Sequence, residues 1–271
     1  MSNLQLRVVS ALVLAVVVLG LTWIGGVPFR VLAAIIGALV FHEWSTVSGM
    51  RRDPVTFWLS WAAAGVVLGS LAVGFPASSL LLTAAGAVVV SAVVALARGQ
   101  GISPATGVGY AVLPAIALAL LRGDTLSGLL AVVFLFAVVW ATDILAYFVG
   151  RAIGGPKLAP SISPGKTWSG AIGGAVAGVG AGILAAQIAG EPSLVLLGGL
   201  ALLLSVVSQA GDLFESAFKR RHGAKDSSNL IPGHGGVMDR VDGLVAAALA
   251  LYLAGWLLSG PDNPSAGLFP L

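Results

Sequence analysis

The 271-residue chain has no cysteine, which excludes disulfides, thiolate nucleophiles and cysteine-type zinc sites. It also has little charge: Asp, Glu, Lys and Arg together make up 9% of residues against 58% hydrophobic, and the mean hydropathy is +1.00. Soluble domains are about one quarter charged, so this deficit excludes an ordinary soluble domain and points to a polytopic membrane protein. No Pro/Ser linker, charged tail or repeat longer than a helix divides the sequence, which therefore reads as one membrane domain. The net charge is +3, but the basic residues are spread over five membrane-flanking segments without interleaved aromatics. That pattern excludes nucleic acid and fits membrane lipid headgroups.

The fold expected is all-α, with nearly continuous apolar runs of membrane-spanning length. Candidate spans cover about 8–25, 29–46, 57–75, 79–97, 104–121, 126–149, 168–189, 193–215 and 241–258. The first follows one Arg, as a signal peptide would, but lacks an Ala-x-Ala site before Gly25 and Gly26, so it reads as an uncleaved helix. Nine spans with the N-terminus inside and the C-terminus outside place twelve of the fourteen basic residues, from Arg7 to Arg240, on the inner side. Only Arg30 and Arg122 fall outside, as the excess of Lys and Arg in cytoplasmic loops requires. Gly170, Gly174, Gly178 and Gly182 put small residues on one face of the seventh span, where another helix can approach closely.

Polar chemistry is confined to the second half. Residues 1–135 read as transmembrane scaffold, and residues 136–271 as helices and cytoplasmic loops that form a site. In the scaffold, Glu43 beside His42 and Trp44 reads equally as an interfacial anchor or a functional group. Asp212, Ser216 and Lys219, together with Glu215, lie at i, i+4, i+7 and i+3 on one face of the eighth span, with Gln209 one turn earlier. Asp239 and Asp242 form an acidic pair where the ninth span begins. With Asp212 they offer the oxygen ligands that a hard divalent cation takes, the alternative for the pair being helix capping. Between these helices, Gly235 and Gly236 can bring backbone N–H groups to phosphate oxygens, Lys219, Lys225 and Arg240 supply positive charge, and His234 can bind phosphate or relay a proton. An earlier segment offers Ser163, Lys166 and Thr167 as phosphate donors, although Pro160 stands where a Walker loop needs glycine. Asp143, on one face of the sixth span with Trp140 and Tyr147, marks a ligand cavity.

These residues resemble the phosphatidate cytidylyltransferases, or CDP-diacylglycerol synthases. The signature of that family is matched by Ser216, Lys219-Arg220, Lys225-Asp226, Pro232-Gly233-His234-Gly235-Gly236, Asp239-Arg240 and Asp242. Upstream, Trp140, Asp143, Ala146-Tyr147 and Gly150-Arg151 are similar to a second family segment. Ser163-Pro164, Lys166-Thr167-Trp168 and Gly170 are similar to a third, in which Gly165 replaces a usual Lys and Ser169 a usual Glu. The resemblance implies an enzyme of phospholipid biosynthesis in a bacterial-type inner (cytoplasmic) membrane, multi-pass, with its active site on the cytoplasmic side. It implies CTP and phosphatidic acid as substrates, CDP-diacylglycerol and pyrophosphate as products, Mg2+ as cofactor with K+ a candidate second ion, and a homodimer. Asp212, Lys219, Asp239 and Arg240 are then expected to be catalytic, with metal ligands among Asp212, Asp239 and Asp242. Asp143, Ser163, Lys166, Thr167, Ser216, Lys225, Asp226, His234, Gly235 and Gly236 are expected to bind substrate. An ion-coupled transporter would carry its acidic residues near midplane, and a CDP-alcohol phosphotransferase would show Asp-Gly-x-x-Ala-Arg, so both fit less well.

Overall fold

A computed structural model describes residues 3–191 and 193–270; the side chain of Arg7, counted above among the inner basic groups, lies outside what is described. The chain runs through α1 (Asn3–Ile24), α2 (Gly26–Val47), α3 (Pro54–Val73), α4 (Ala77–Ala97), α5 (Ser103–Arg122), α6 (Leu126–Ile153), α7 (Trp168–Ile188), α8 (Leu194–Arg221), α9 (Met238–Ser259) and the short α10 (Pro264–Leu268). Among the described residues, α2 to α9 are eight helices long and apolar enough to cross a membrane, and the apolar part of α1, Val8–Ile24, is shorter. This is the expected all-α polytopic membrane architecture. Two parts of it were not expected: α10, and a two-stranded antiparallel hairpin of β1 (Lys157–Ala159) and β2 (Ser163–Thr167) between α6 and α7.

At 28 residues each, α6 and α8 are about 42 Å long at 1.5 Å per residue, against a hydrocarbon thickness of about 30 Å. Each therefore exceeds the apolar layer, which leaves room for its C-terminal turns to reach past it. Those turns carry the polar residues.

Successive helices alternate in direction, so one end of the bundle gathers the N-termini of odd-numbered helices and the C-termini of even-numbered ones. Contacts tie that end together. Asp53 caps α3 and pairs with Arg98 after α4 at 2.8 Å. Arg98 and Thr56 hold the Asp53 carboxyl well below the usual carboxylate range. The Trp44 indole donates to the Ser103 carbonyl at 3.0 Å and stacks on Phe218 with centroids 3.7 Å apart, joining α2 to α5 and α8. At the opposite end, the buried Arg122 guanidinium donates to the Thr22 and Trp23 carbonyls at 2.5 and 2.9 Å, satisfying the open C-terminus of α1.

The expected glycine seam is present. A Cβ on Gly174 would lie 2.7 Å from the Thr142 carbonyl oxygen, and one on Gly170 would lie 2.6 Å from the Ala146 carbonyl oxygen, so only glycine lets α7 press this closely on α6. Thr142 and Ser205 add a hydroxyl hydrogen bond of 2.8 Å between α6 and α8 beside the seam. Gly174→Val is therefore expected to destabilise the protein by about 1–3 kcal/mol, the usual range for overpacking. Gly180→Val, on the same helix with open space at its Cβ, should leave stability unchanged. Thermal denaturation of both variants in detergent checks the contrast.

Candidate active site

The hairpin folds over the C-terminal end of α6. Thr167 ends β2 and caps α7, its hydroxyl accepting from the Gly170 N–H at 3.1 Å. The Ser169 hydroxyl, where the family segment usually has Glu, instead donates to the Gly154 carbonyl at 2.5 Å and closes the hairpin base. Between the hairpin and helices α6, α7, α8 and α9 lies a cavity of about 860 Å³.

Three regions far apart in sequence supply its walls. Asp143, Tyr147 and Arg151 come from α6, Ser163, Gly165, Lys166 and Thr167 from β2, and Gln209, Asp212, Asp239, Arg240 and Asp242 from α8 and α9. Lys166 forms an ion pair with Asp212 across the cavity. Asp143, Asp212 and Asp242 lie within electrostatic reach of one another. The Ser216 hydroxyl donates to Asp212 Oδ1 at 3.3 Å, and the Tyr147 hydroxyl accepts from Arg151 at 2.9 Å. Gly165 has nothing within 4 Å of its Cβ position, so the lysine usual in the family would find room there.

Behind this wall is a buried ionic layer. Lys219 Nζ sits 2.7 Å from Glu215 Oε2 and 2.6 Å from Asp239 Oδ1, with Glu215 fully buried. Asp239 also accepts from the backbone N–H of Ser227 at 3.0 Å and of Gly236 at 2.8 Å, and from the Ser227 hydroxyl at 3.0 Å. A carboxylate has about four lone-pair sites, and those of Asp239 are taken up by the protein itself. Glu43, from α2, lies on the other side of the same loop. Fully buried, it accepts from the hydroxyls of Ser227 and Ser228 at 3.0 and 2.5 Å and from the backbone N–H groups of Val237 and Met238 at 2.9 and 2.6 Å.

Of the residues singled out in the sequence, Asp143, Ser163, Lys166, Thr167, Asp212, Asp239, Arg240 and Asp242 line one cavity. Other expected groups are placed differently. Lys219 was expected to meet phosphate, but its ammonium is turned to two carboxylates behind the wall. The Gly236 N–H, expected to face phosphate, is given to Asp239. Gly235 forms a turn, accepting from the Ile231 N–H at 2.8 Å. Lys225 and Asp226 are exposed on the loop, outside the cavity lining, and His234 shares a 2.9 Å hydrogen bond with Ser10 of α1. Arg240 Nε donates to the His234 carbonyl at 3.0 Å, which steadies the arginine at the cavity rim.

Tyr147 had been placed on one helix face with Asp143, and Arg151 and Lys157 had been counted among the inner basic residues; all three line the cavity. Among the described residues no three carboxylate or imidazole groups converge as a ready ligand shell. Asp212 and Asp242 both open on the cavity, and one or two carboxylates beside nucleotide phosphates suit a small hard cation.

Comparison with known proteins supports the same reading. The model of the cytidylyltransferase family matches residues 5–258. The chain is 50% identical over 277 residues to a phosphatidate cytidylyltransferase of Brucella suis biovar 1 (strain 1330), with 99% of each chain covered. It is 50% identical over 131 residues to the enzyme of that name from Pseudomonas aeruginosa, covering 46% of this chain and 48% of the relative. The phosphatidate cytidylyltransferase of Bacillus subtilis (strain 168) is 42% identical over 128 residues, 46% of this chain and 47% of its own. A family match along nearly the whole chain, together with a relative sharing half its residues end to end, places this protein in the cytidylyltransferase family, among the phosphatidate cytidylyltransferases.

Proposed function

We propose that the chain transfers the cytidylyl group of CTP to phosphatidate in the cavity between the hairpin and α6 to α9, giving CDP-diacylglycerol and pyrophosphate. The observation that carries the site is the convergence on one cavity of the three motif segments, with Lys166 paired to Asp212 at its centre. A phosphate oxygen of the lipid attacks the α-phosphorus of CTP. The new P–O bond forms as the bond to the β-phosphate bridging oxygen breaks, and pyrophosphate leaves with that electron pair. The attacking phosphate is already ionised, so no side chain need abstract a proton.

What the protein must do is hold phosphates in line and balance their charge. Lys166, Arg240 and Arg151 line the cavity as cations for those phosphates. Ile144 and Phe148 are exposed on the helix that carries Asp143 and Tyr147, offering an apolar flank beside the polar cavity for the acyl chains. The donor set fits magnesium, with Asp212 and Asp242 as its ligands and Asp239 fixing the wall from which they work. A bound ion there would supply charge to offset that developing on the leaving pyrophosphate. Potassium as a second ion, a homodimer and a bacterial inner membrane remain part of this reading through the family resemblance.

Orientation follows the basic residues. The end of the bundle that holds the cavity carries all eleven inner basic groups whose side chains are described, Arg51 to Arg240, and on this reading faces the cytoplasm, where CTP is found.

Purified protein given labelled CTP and phosphatidate should release pyrophosphate and form CDP-diacylglycerol, and a chelator should abolish the reaction until magnesium is restored. Asp212→Asn keeps the shape of the side chain but removes the charge that faces Lys166. Its turnover is expected to fall at least about a hundredfold, the scale of losing a main electrostatic stabiliser; near-normal turnover in a folded variant would refute the assignment.

The absence of cysteine allows sidedness to be tested directly. Asn229 and Asn263 are exposed near opposite ends of the bundle. In intact cells a membrane-impermeant thiol reagent should label Asn263→Cys and not Asn229→Cys, and the reverse pattern would overturn the orientation.

A further inference from the structure

Glu43 belongs to the first half of the chain and does not line the cavity, yet it is the most completely engaged carboxylate outside it. Each of its oxygens has one backbone N–H and one serine hydroxyl within hydrogen-bond distance, the Ser227 hydroxyl being shared with Asp239. Oε1 takes Val237 N–H at 2.9 Å and the Ser228 hydroxyl at 2.5 Å; Oε2 takes Met238 N–H at 2.6 Å and the Ser227 hydroxyl at 3.0 Å. Val237 is the N-cap residue of α9 and Met238 its first residue, and no side chain of α9's own segment caps them. The first N–H groups of a helix need acceptors and attract negative charge. Glu43 supplies both from another helix.

The loop is shaped to receive it. A Cβ on Gly236 would lie 2.6 Å from Glu43 Oε1 and 2.7 Å from Oε2, and would also collide with the Ser227 hydroxyl, so glycine at that position leaves the carboxylate its space. Glu43 itself is fixed by Trp44, which is buried, stacked on Phe218 of α8 and bonded to Ser103 of α5.

We infer that Glu43 is a positioning residue: by capping α9 and binding both serines it sets where that helix begins, and so where Asp239, Arg240 and Asp242 stand in the cavity. This rests on the cytidylyl-transfer reading for its effect on turnover. Its effect on the loop does not.

Glutamine is not a conservative replacement here. Both oxygens of Glu43 face a backbone N–H, and those groups cannot reverse their role, so the Gln amide must point NH2 at either Val237 or Met238. Glu43→Gln is therefore expected to lower kcat about tenfold to a hundredfold, as losses of supporting residues around a site do, with a smaller change in KM for CTP. Hydrogen–deuterium exchange of the full chain in detergent, without substrate, should rise in peptides covering 225–240 and remain as in the unmodified protein in α3 and α4. Ser228→Ala removes one of the four donors at the loop surface. It should lower kcat several-fold alone and add little in combination with Glu43→Gln, because both act through one network.

Unchanged kcat and unchanged exchange at 225–240 in Glu43→Gln would overturn the inference, as would exchange raised equally through α3 and α4, which would mark a general loss of structure. If Glu43→Gln does not accumulate as folded protein, unchanged kcat in Ser228→Ala overturns it. An unmodified chain that makes no CDP-diacylglycerol would sink the cytidylyl-transfer reading, while the exchange difference would still decide the placement of the loop.

Discussion

A carboxylate withdrawn from water is costly unless the surrounding structure meets its lone pairs or its charge. The polar end of this protein is organised by that requirement. Glu43 and Glu215 sit behind the cavity wall and Asp239 in it, and each is met differently: Glu43 by a helix start and two serines, Glu215 only by the charge of Lys219, its oxygens otherwise without hydrogen-bond partners, and Asp239 by Lys219 with two backbone N–H groups and a hydroxyl. Because Lys219 lies between Glu215 and Asp239, and Ser227 between Asp239 and Glu43, none can be moved without disturbing the next. The loop between α8 and α9 owes its path to these contacts more than to regular structure, since it contains only an isolated bridge between Ile231 and Gly235.

In front of that layer the cavity has a different character. Asp143, Asp212 and Asp242 are close together with Lys166 against Asp212, leaving acidic groups open to a cation and cationic groups open to phosphate. The division of labour follows from burial. Groups that are fully satisfied by the protein hold geometry, and groups left short of partners are free to meet ligands. Helices α6 and α8, at 28 residues each, are longer than an apolar layer of about 30 Å requires, and Ile144 and Phe148 keep one flank of the cavity apolar.

Much of this was legible in the sequence because helices in a membrane must satisfy their own backbone, so composition and run length locate them with little help from packing. The glycine stripe of α7 was legible for the same reason: its spacing is a property of one helix. The stripe from Asp212 to Lys219 also came from one helix, but what Lys219 touches did not, since Asp239 lies across a loop of many glycines. Glu43 shows the limit most clearly. Its partners are 184 to 195 residues away, and nothing near it in the chain distinguishes a loop anchor from an interfacial acid. The hairpin was hidden differently, because Pro160, Pro164 and Gly165 read as turn residues whether or not two short strands flank the turn.

The Ser227 hydroxyl lies 3.0 Å from Glu43 Oε2 and 3.0 Å from Asp239 Oδ2, yet it carries a single proton. It can satisfy one acid at a time, and at whichever it leaves, its oxygen lone pairs face a negative oxygen. The same heavy-atom framework therefore holds two hydrogen-bond isomers, interchanged by turning one O–H bond. Rotation toward Asp239 softens the negative potential at the cavity wall, and rotation toward Glu43 sharpens it. One set of heavy-atom positions thus accommodates two placements of that proton, with no movement asked of the helices that frame the wall.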